Sequence, residues 1–165
     1  MTPFVDPSYA APEGLETSDF RLRPLGPEHN ESDYAAWTSS IDHIHATPGW
    51  DDSDWPTPMT LEENRGDLER HAADFAARSG FTYTVLAPDS DEVIGCVYIY
   101  PAKDGPGAQV RSWVRQVDAD LDAPLYRAVA DWLDRDWPFS RVVYAERLTD
   151  RSGEPGDRVS RGTAG

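Results

Sequence analysis

The run "EVIGCVYIYP" at 92–101 constrains the fold more than any other stretch of the chain. Its apolar residues are nearly continuous and rich in β-branched and aromatic types, which predicts a strand covered on both faces. "FTYTVLAPD" (81–89) precedes it across the turn "APDSDE", and "AQVRSWVR" (108–115) follows it across the turn "AKDGPG". Strands joined by turns this short pair in opposite directions. The sequence therefore predicts an antiparallel meander of three strands.

The rest of the chain adds helices and two outer strands to this meander. The predicted elements are a strand at 19–25, a helix over 31–44, a helix from Thr60 to a stop at Gly80, a helix from Pro124 to about Trp137, and a strand at 140–148. Thr60 and Glu63 form a capping box at the start of the second helix. The final strand–helix–strand unit requires a parallel pair of strands with a right-handed crossover. The predicted class is α/β (α+β): a mixed, mostly antiparallel sheet with helices on both faces.

Length and composition limit the kind of protein and the kind of partner. A chain of 165 residues predicts one domain, at 19–148, between an extended lead-in at 1–18 and a flexible tail at 149–165. The formal net charge of −15 excludes nucleic acid and anionic membrane surfaces as partners. The single cysteine, Cys96, cannot form an internal disulfide, which predicts a reducing cytoplasm. The chain carries neither a signal-peptide pattern nor an apolar run long enough for a membrane span.

This order of elements, with "VIGCVYIYP" feeding a hairpin into "QVRSWVR" and then a helix, resembles the GNAT-type N-acetyltransferase superfamily over roughly 19–148. Together with "TLEENRGDLERHAADFAARSGFTYTVL", it is similar to bacterial GNAT-like proteins of unassigned substrate. The resemblance implies two splayed parallel strands with acetyl-CoA in the wedge between them, and acetyl transfer to a small amine. It also implies that the pyrophosphate lies on the turn after "QVRSWVR". The residues that this would place against acetyl-CoA are Trp113, Val114, Arg115, Gln116 and Val117.

Two features depart from the family's pattern. The phosphate turn of the family reads Arg/Gln-x-x-Gly-x-Gly/Ala, whereas "RQVDADLDA" holds no glycine and has acids at Asp118, Asp120 and Asp122. These acids either complement the dipole of the next helix or accept a cation. Carboxylates repel a phosphate, so we expect acetyl-CoA to bind weakly or not at all. The family also continues past its fifth strand with another helix and two strands, so the chain is expected to be C-terminally shortened. The alternative function is a non-catalytic ligand-binding or dimerisation module on a degenerate GNAT fold.

The acceptor site would lie in the helix–loop–helix region at 28–74, which lines it in the family. This segment holds twelve acids, two arginines and all four histidines of the chain: His29, His43, His45 and His71. Carboxylates beside aromatic faces suit an ammonium group, so the predicted ligand is a small cation or amine. The other interpretation is a solvated acidic surface with its tryptophans packed inward. The predicted pocket residues are Trp37, Asp42, Trp50, Trp55, Tyr100 and Arg111.

The catalytic candidates rest on position alone. His43, His45 and Asp42 are candidates for the base that removes a proton from an amine, and Tyr98 is placed to face the wedge. The histidines are as well explained by ordinary loop hydrogen bonds, and the tyrosine by core packing. No metal is predicted, because no third ligand stands at a recognisable spacing from "HIH". The last strand, "RVVYAERL", reads as an edge that needs cover, which predicts a homodimer across it.

Overall fold

A single six-stranded sheet organises the protein, and its strands lie in chain order. The computed structural model describes residues 4–147. The strands are β1 (Leu15–Glu16), β2 (Arg21–Pro24), β3 (Phe81–Leu86), β4 (Val93–Pro101), β5 (Ala108–Val114) and β6 (Val142–Tyr144). Every neighbouring pair is antiparallel except β5 and β6, which are parallel. The predicted mixed, mostly antiparallel sheet is therefore confirmed, with β1 as an additional short strand.

Helices cover both faces of this sheet, as predicted. They are α1 (Asn30–Thr38), α2 (Ile41–His45), α3 (Leu61–Ala77) and α4 (Asp122–Asp136). Successive side chains of a strand point to opposite faces, so β4 contributes to two cores. Val97 and Ile99 belong to one core with Leu125, Val129 and Trp132 of α4. The other face carries Cys96 and Tyr98, which pack in the second core with residues of α1, α2 and α3.

The predicted helix over 31–44 is wrong in one respect, because a break at Ser39 and Ser40 divides it into α1 and α2. Serine hydroxyls compete with the helical backbone for hydrogen bonds. The Ser39 hydroxyl donates to the carbonyl of Ala36 at 2.9 Å, and the buried Ser40 hydroxyl accepts from the backbone N–H of Gln116 at 2.9 Å. The break thus lets Ser40 hold the turn after β5.

Helix α3 begins as predicted and ends earlier. Thr60 and Glu63 make both bonds of the capping box, at 2.8 and 3.0 Å. The left-handed residue at the C-terminus is Arg78, with φ of 60°, rather than Gly80. Gly80 has a different role: a Cβ there would lie 2.0 Å from the ring of Tyr100, so only glycine lets that ring lie against the chain.

Residues at the N-terminal side pack onto the sheet instead of forming a lead-in outside the domain. Val5 is buried in the core that faces α4. The hydroxyl of Tyr83 donates to the carbonyl of Pro12 at 2.6 Å, and β1 extends the sheet beside β2. Apolar side chains in the lead-in account for this difference. The predicted tail at 149–165 lies outside the described residues.

The last strand is shorter than predicted and lies at the edge of the sheet. It covers Val142–Tyr144, with the side chains of Val142 and Val143 exposed. Between residues 4 and 147, we find no helix with the length and apolar character required to cross a membrane.

Candidate functional site

A cavity of 520 Å³ opens on the face of the sheet that carries α1, α2 and α3. Its floor consists of two cross-strand pairs of β4 and β5: Tyr98 lies opposite Arg111, and Tyr100 lies opposite Gln109. The α3 wall consists of Asn64, Asp67, Leu68, Arg70 and His71. The loop between α2 and α3 covers the other side with Trp50, Ser53 and Trp55. The volume lies within the range of small-molecule sites.

Aromatic rings form the apolar part of the cavity. The ring centroids of Trp50 and Trp55 are 5.4 Å apart, and those of Trp50 and Tyr98 are 5.5 Å apart. The Trp50 indole N–H donates to the carbonyl of Ser112 at 2.9 Å, which fixes the loop to β5. Trp113, behind this wall, donates its indole N–H to the Tyr98 hydroxyl at 3.0 Å. These bonds hold the ring faces in place before any ligand binds.

Three side chains at the edge of the cavity form a chain of hydrogen bonds. The Tyr100 hydroxyl donates to Oδ2 of Asp74 at 2.8 Å, and Nδ1 of His71 lies 2.9 Å from the same hydroxyl. The single proton of that hydroxyl is given to Asp74, so Nδ1 of His71 must be the donor in the second bond. Nδ1 also lies 3.1 Å from Oγ1 of Thr82. The lone pair of this imidazole is therefore on Nε2, which makes no hydrogen bond to the described residues.

The surroundings keep His71 neutral. Burial lowers the pKa of His71 below its usual value, the charge of Arg70 lowers it further, and Asp74 and Asp67 oppose the shift. Burial also raises the pKa of Tyr100 to about 12, so its hydroxyl remains a donor to Asp74. A neutral imidazole with a free lone pair beside a cavity can accept a proton from a bound ligand.

A buried polar network closes the deep end of the cavity. Asn64 donates to Oδ2 of Asp33 at 3.1 Å and to Oδ1 of Asn30 at 2.8 Å, and it accepts from the indole N–H of Trp37 at 3.0 Å. Burial raises the pKa of Asp33 to about 6, against the lowering effect of the Asn64 bond, and the charge of Asp67 adds to the rise. An ammonium group placed near this carboxyl would favour its ionised form.

The predicted acidic wall does not line the cavity. Of the acids in 28–74, Asp33 and Asp67 reach it, whereas Arg70, Arg111 and Lys103 also line it. Most acids of the segment lie on exposed faces of the helices and the loop, where charged groups keep their hydration. The cavity therefore carries both signs of charge.

The sequence-predicted pocket residues divide into two groups. Trp50, Trp55, Tyr100 and Arg111 line the cavity, as does Tyr98 from the catalytic candidates. Trp37 is fully buried behind it, and Asp42 is exposed on α2.

The other catalytic candidates lie elsewhere. His43 and His45 are on α2 and do not line the cavity, and Nε2 of His45 lies 2.8 Å from the carbonyl of Pro56. His71, which does line the cavity, was not among the catalytic candidates. It continues the inward stripe of Leu68 and Phe75 at helical spacing, so a polar residue within an apolar stripe was the available signal.

The resemblance places the pyrophosphate on the turn after β5, where two of the possible donors are already bound within the protein. The side chain of Arg115 is taken by two acids, with Nε 2.7 Å from Oδ2 of Asp118 and one terminal nitrogen 2.8 Å from Glu92. The backbone N–H of Gln116 is bound to Ser40, and Val117 is 80% exposed. Two donors that could face an anion are thus used within the protein.

The gap between β5 and β6 is filled by the protein itself. The two strands pair only at Ala108–Val110, and beyond this point the Arg147 guanidinium lies between them. It donates to Oδ2 of Asp122 at 2.7 Å and to the carbonyl of Ser112 at 2.9 Å. The rings of Tyr126 and Tyr144 flank it, with centroids at 6.0 and 5.6 Å. Trp113 and Val114, predicted to contact acetyl-CoA, are buried in the two cores.

Metal binding has no support in the described part of the chain. Among residues 4–147, no group of three or more histidine, cysteine, aspartate or glutamate side chains is arranged to hold a metal ion.

Comparison with solved structures identifies the fold. The chain aligns with RimL, the ribosomal L7/L12 alpha-N-protein acetyltransferase in complex with coenzyme A, at a TM-score of 0.64 and 14% identity, over 80% of this chain and 73% of that one. It aligns with the ribosomal-protein-S5-alanine acetyltransferase from Vibrio fischeri at a TM-score of 0.61 and 15% identity, over 79% and 72%. The microcin C7 self-immunity acetyltransferase MccE, in complex with acetyl-CoA and AMP, aligns at 0.56 and 11%, over 75% and 66%.

At the level of sequence, no family model and no curated protein matches the chain. The structural likeness establishes that the chain has the fold of GNAT-type N-acetyltransferases.

Proposed function

We propose that this chain is a GNAT-type N-acetyltransferase that binds a small amine in the 520 Å³ cavity, with His71 as the base. The observation that carries the proposal is the bond chain from Asp74 through Tyr100 to His71, which leaves Nε2 of the imidazole as an acceptor beside the cavity. The fold supports acyl transfer as the class of reaction, since the aligned solved structures are acetyltransferases.

Each part of the cavity has a role in this proposal. Trp50, Trp55 and Tyr98 hold the apolar body of the amine. His71 takes the proton that the amine nitrogen loses as it becomes a nucleophile, which contributes about 10²- to 10⁴-fold to a rate. Asp74 is a positioning residue, because it acts on the imidazole through Tyr100.

Acetyl-CoA is the acetyl donor that the fold implies, and two of the aligned structures contain coenzyme A or acetyl-CoA. In this chain the contacts of Arg147 with Asp122 and Ser112 must break before a donor enters the gap between β5 and β6. The filled gap is the observation behind a second candidate function, a module that binds a ligand in the cavity and transfers no acetyl group.

A direct test is release of coenzyme A from acetyl-CoA in the presence of a panel of primary amines. We expect amine-dependent release that falls about 10²-fold or more in His71→Asn, because asparagine replaces the Nδ1 donor but offers no base. His43→Asn is the matched control, since His43 does not line the cavity. The rate of the parent protein should fall as the pH drops through the lowered pKa of His71.

The outcomes separate the two candidates. Amines that bind to the cavity without any release of coenzyme A would support the non-catalytic module. Equal loss of activity in His71→Asn and His43→Asn would contradict the assignment of the base.

A further inference from the structure

Arg111 is a cation at the cavity whose hydrogen-bonding groups are only partly satisfied. Its Nε atom is buried and finds no hydrogen-bond partner among residues 4–147. Its guanidinium lies 5.4 Å from the ring centroid of Trp50, and its nearest carboxylate, Asp52, is 3.7 Å away on a side chain that is 76% exposed. A buried guanidinium donor without a partner is unfavourable. Stacking on Trp50 holds the guanidinium in place, and its long contact with the exposed Asp52 can be exchanged for a carboxylate of a ligand.

The neighbours of Arg111 make this end of the cavity suited to an anion. Gln109, two residues earlier on the same face of β5, and Lys103, in the turn between β4 and β5, both line the cavity. Lys103 forms no ion pair among the described residues. Arg70 differs from these residues because it is bound to Asp67 at 2.8 Å.

The opposite end of the cavity has the reverse character. It holds His71, whose Nε2 has no partner among residues 4–147, and the carboxyl groups of Asp33 and of Asp67, the latter paired with Arg70. Between the two ends lie the rings of Trp50, Trp55 and Tyr98. The aromatic middle of the cavity thus separates a cationic end, at Arg111 and Lys103, from an end at His71 and Asp33 that can accept a proton or an ammonium group.

We propose that the ligand of the cavity is a small zwitterion, an α-amino-acid-like molecule with an apolar or aromatic side chain whose carboxylate binds Arg111. This names the acceptor class and rests on the proposed function, in which the amine lies toward His71. A carboxylate matches the guanidinium fork with two parallel hydrogen bonds, and Lys103 adds a second positive charge. The zwitterion keeps the amine that the sequence predicted and adds a carboxylate for Arg111.

The test is a comparison of L-phenylalanine with L-phenylalaninamide, which has nearly the same shape and also carries an α-amine but has no carboxylate charge. Isothermal titration without acetyl-CoA should show phenylalanine binding about ten- to a hundredfold more tightly, the range expected for a hydrogen-bonded charge pair. Arg111→Gln should remove this difference and leave the affinity for phenylalaninamide unchanged. Arg141→Gln is the matched control, because Arg141 pairs with Asp104 outside the cavity, and it should alter neither affinity.

Three results would overturn the proposal. Phenylalaninamide binding as tightly as phenylalanine to the parent protein would show that no carboxylate is recognised, as would be the case for a peptide N-terminus. Equal loss of both ligands in an Arg111→Gln protein with an unchanged melting temperature would assign Arg111 to packing. Absence of binding by both compounds would also contradict it. The titration contains no acetyl donor, so its result does not depend on whether the protein transfers an acetyl group. If the protein acetylated phenylalaninamide but not phenylalanine, the zwitterion proposal would be wrong and the proposed acetyltransferase function would remain.

Discussion

Arg147 and Asp122 form an ion pair inside the protein, with Nε of Arg147 2.7 Å from Oδ2 of Asp122 and the arginine side chain only 2% exposed. We expect Arg147→Met to lower the free energy of unfolding by about 2–4 kcal/mol, because it leaves the Asp122 carboxylate buried without its partner. Adding Asp122→Asn should recover part of the loss. Urea unfolding of the two single variants and the double variant measures this coupling.

The control for this pair is an arginine pair at the surface. Arg141 and Asp104 are 3.1 Å apart, and the Asp104 side chain is 75% exposed. Arg141→Met should change the free energy of unfolding by about 1 kcal/mol or less. If both arginine variants lost a similar free energy of unfolding, burial would not make the Arg147 pair more important to stability than the surface pair.

The acids at the turn after β5 predict a change in the affinity for coenzyme A. Asp118→Asn should increase this affinity about five- to tenfold at low salt, since one carboxylate about 4 Å from a phosphate costs roughly 1 kcal/mol in water. The substitution also releases one of the two acids that hold Arg115. Isothermal titration with coenzyme A measures the change. Asp120→Asn removes the same charge without that contact, so an equal gain in both variants would contradict the role of Arg115.

The neighbours of His71 predict the direction of its titration. Arg70 lowers the pKa of His71 and Asp74 raises it, while burial is the largest cause of the lowered value. Arg70→Gln should therefore raise the pKa of His71, and Asp74→Asn should lower it further. Side-chain NMR spectra of the histidines across a pH series give both values. Arg65→Gln on the exposed face of α3 is the control, and a shift of the same size there would attribute the effect to net charge.

Asp33 predicts a pH-dependent stability. Its pKa of about 6 in the folded protein exceeds the value of roughly 3.9 for an unfolded aspartate. Below about pH 3.9, Asp33 is protonated in both the folded and the unfolded protein, so no charge is buried on folding. Above about pH 6 both states are ionised, and the folded state carries the full cost. The stability of the parent protein should fall as the pH rises through this window.

Asp33→Asn should remove that fall. We expect the variant to be about 1–3 kcal/mol more stable than the parent at about pH 7.5 and equally stable at about pH 4, since an amide oxygen can still accept from Asn64. Urea unfolding at the two pH values measures the difference. Asp42→Asn, on the exposed α2, should show no such dependence. A constant gain at both pH values would mean that packing, and not ionisation, causes it.

The sheet was predictable because its signals are local. The apolar run of β4, the turns on either side of it and the capping box at Thr60 each depend on residues close together in the chain. The break at Ser40 was not predictable in this way, since its reason is a bond to Gln116, 76 positions away. The packing of Val5 likewise depends on contacts with distant strands.

The residues of the candidate site that were predicted correctly lie on β4, on β5 or in the tryptophan-rich loop between α2 and α3. Tyr98, Tyr100 and Arg111 alternate on two paired strands, so their common face follows from the register. The proposed base did not follow from position. The tautomer of His71 depends on the Tyr100 hydroxyl donating its proton to Asp74, a contact between residues far apart in the chain. A sequence shows four histidines but not which of them lines a cavity with one ring nitrogen lacking a partner among residues 4–147.

The carbonyl oxygen of Ser112 joins the two sides of β5. It accepts from the indole of Trp50 and from Arg147, each at 2.9 Å, which uses both of its lone pairs. Trp50 is a wall of the cavity, and Arg147 fills the gap between β5 and β6. A molecule that enters the gap and displaces Arg147 therefore changes the bond that holds the wall. Such coupling is reciprocal. If a molecule in the gap changes the affinity of the cavity for its ligand by some factor, the ligand in the cavity changes the affinity of the gap by the same factor.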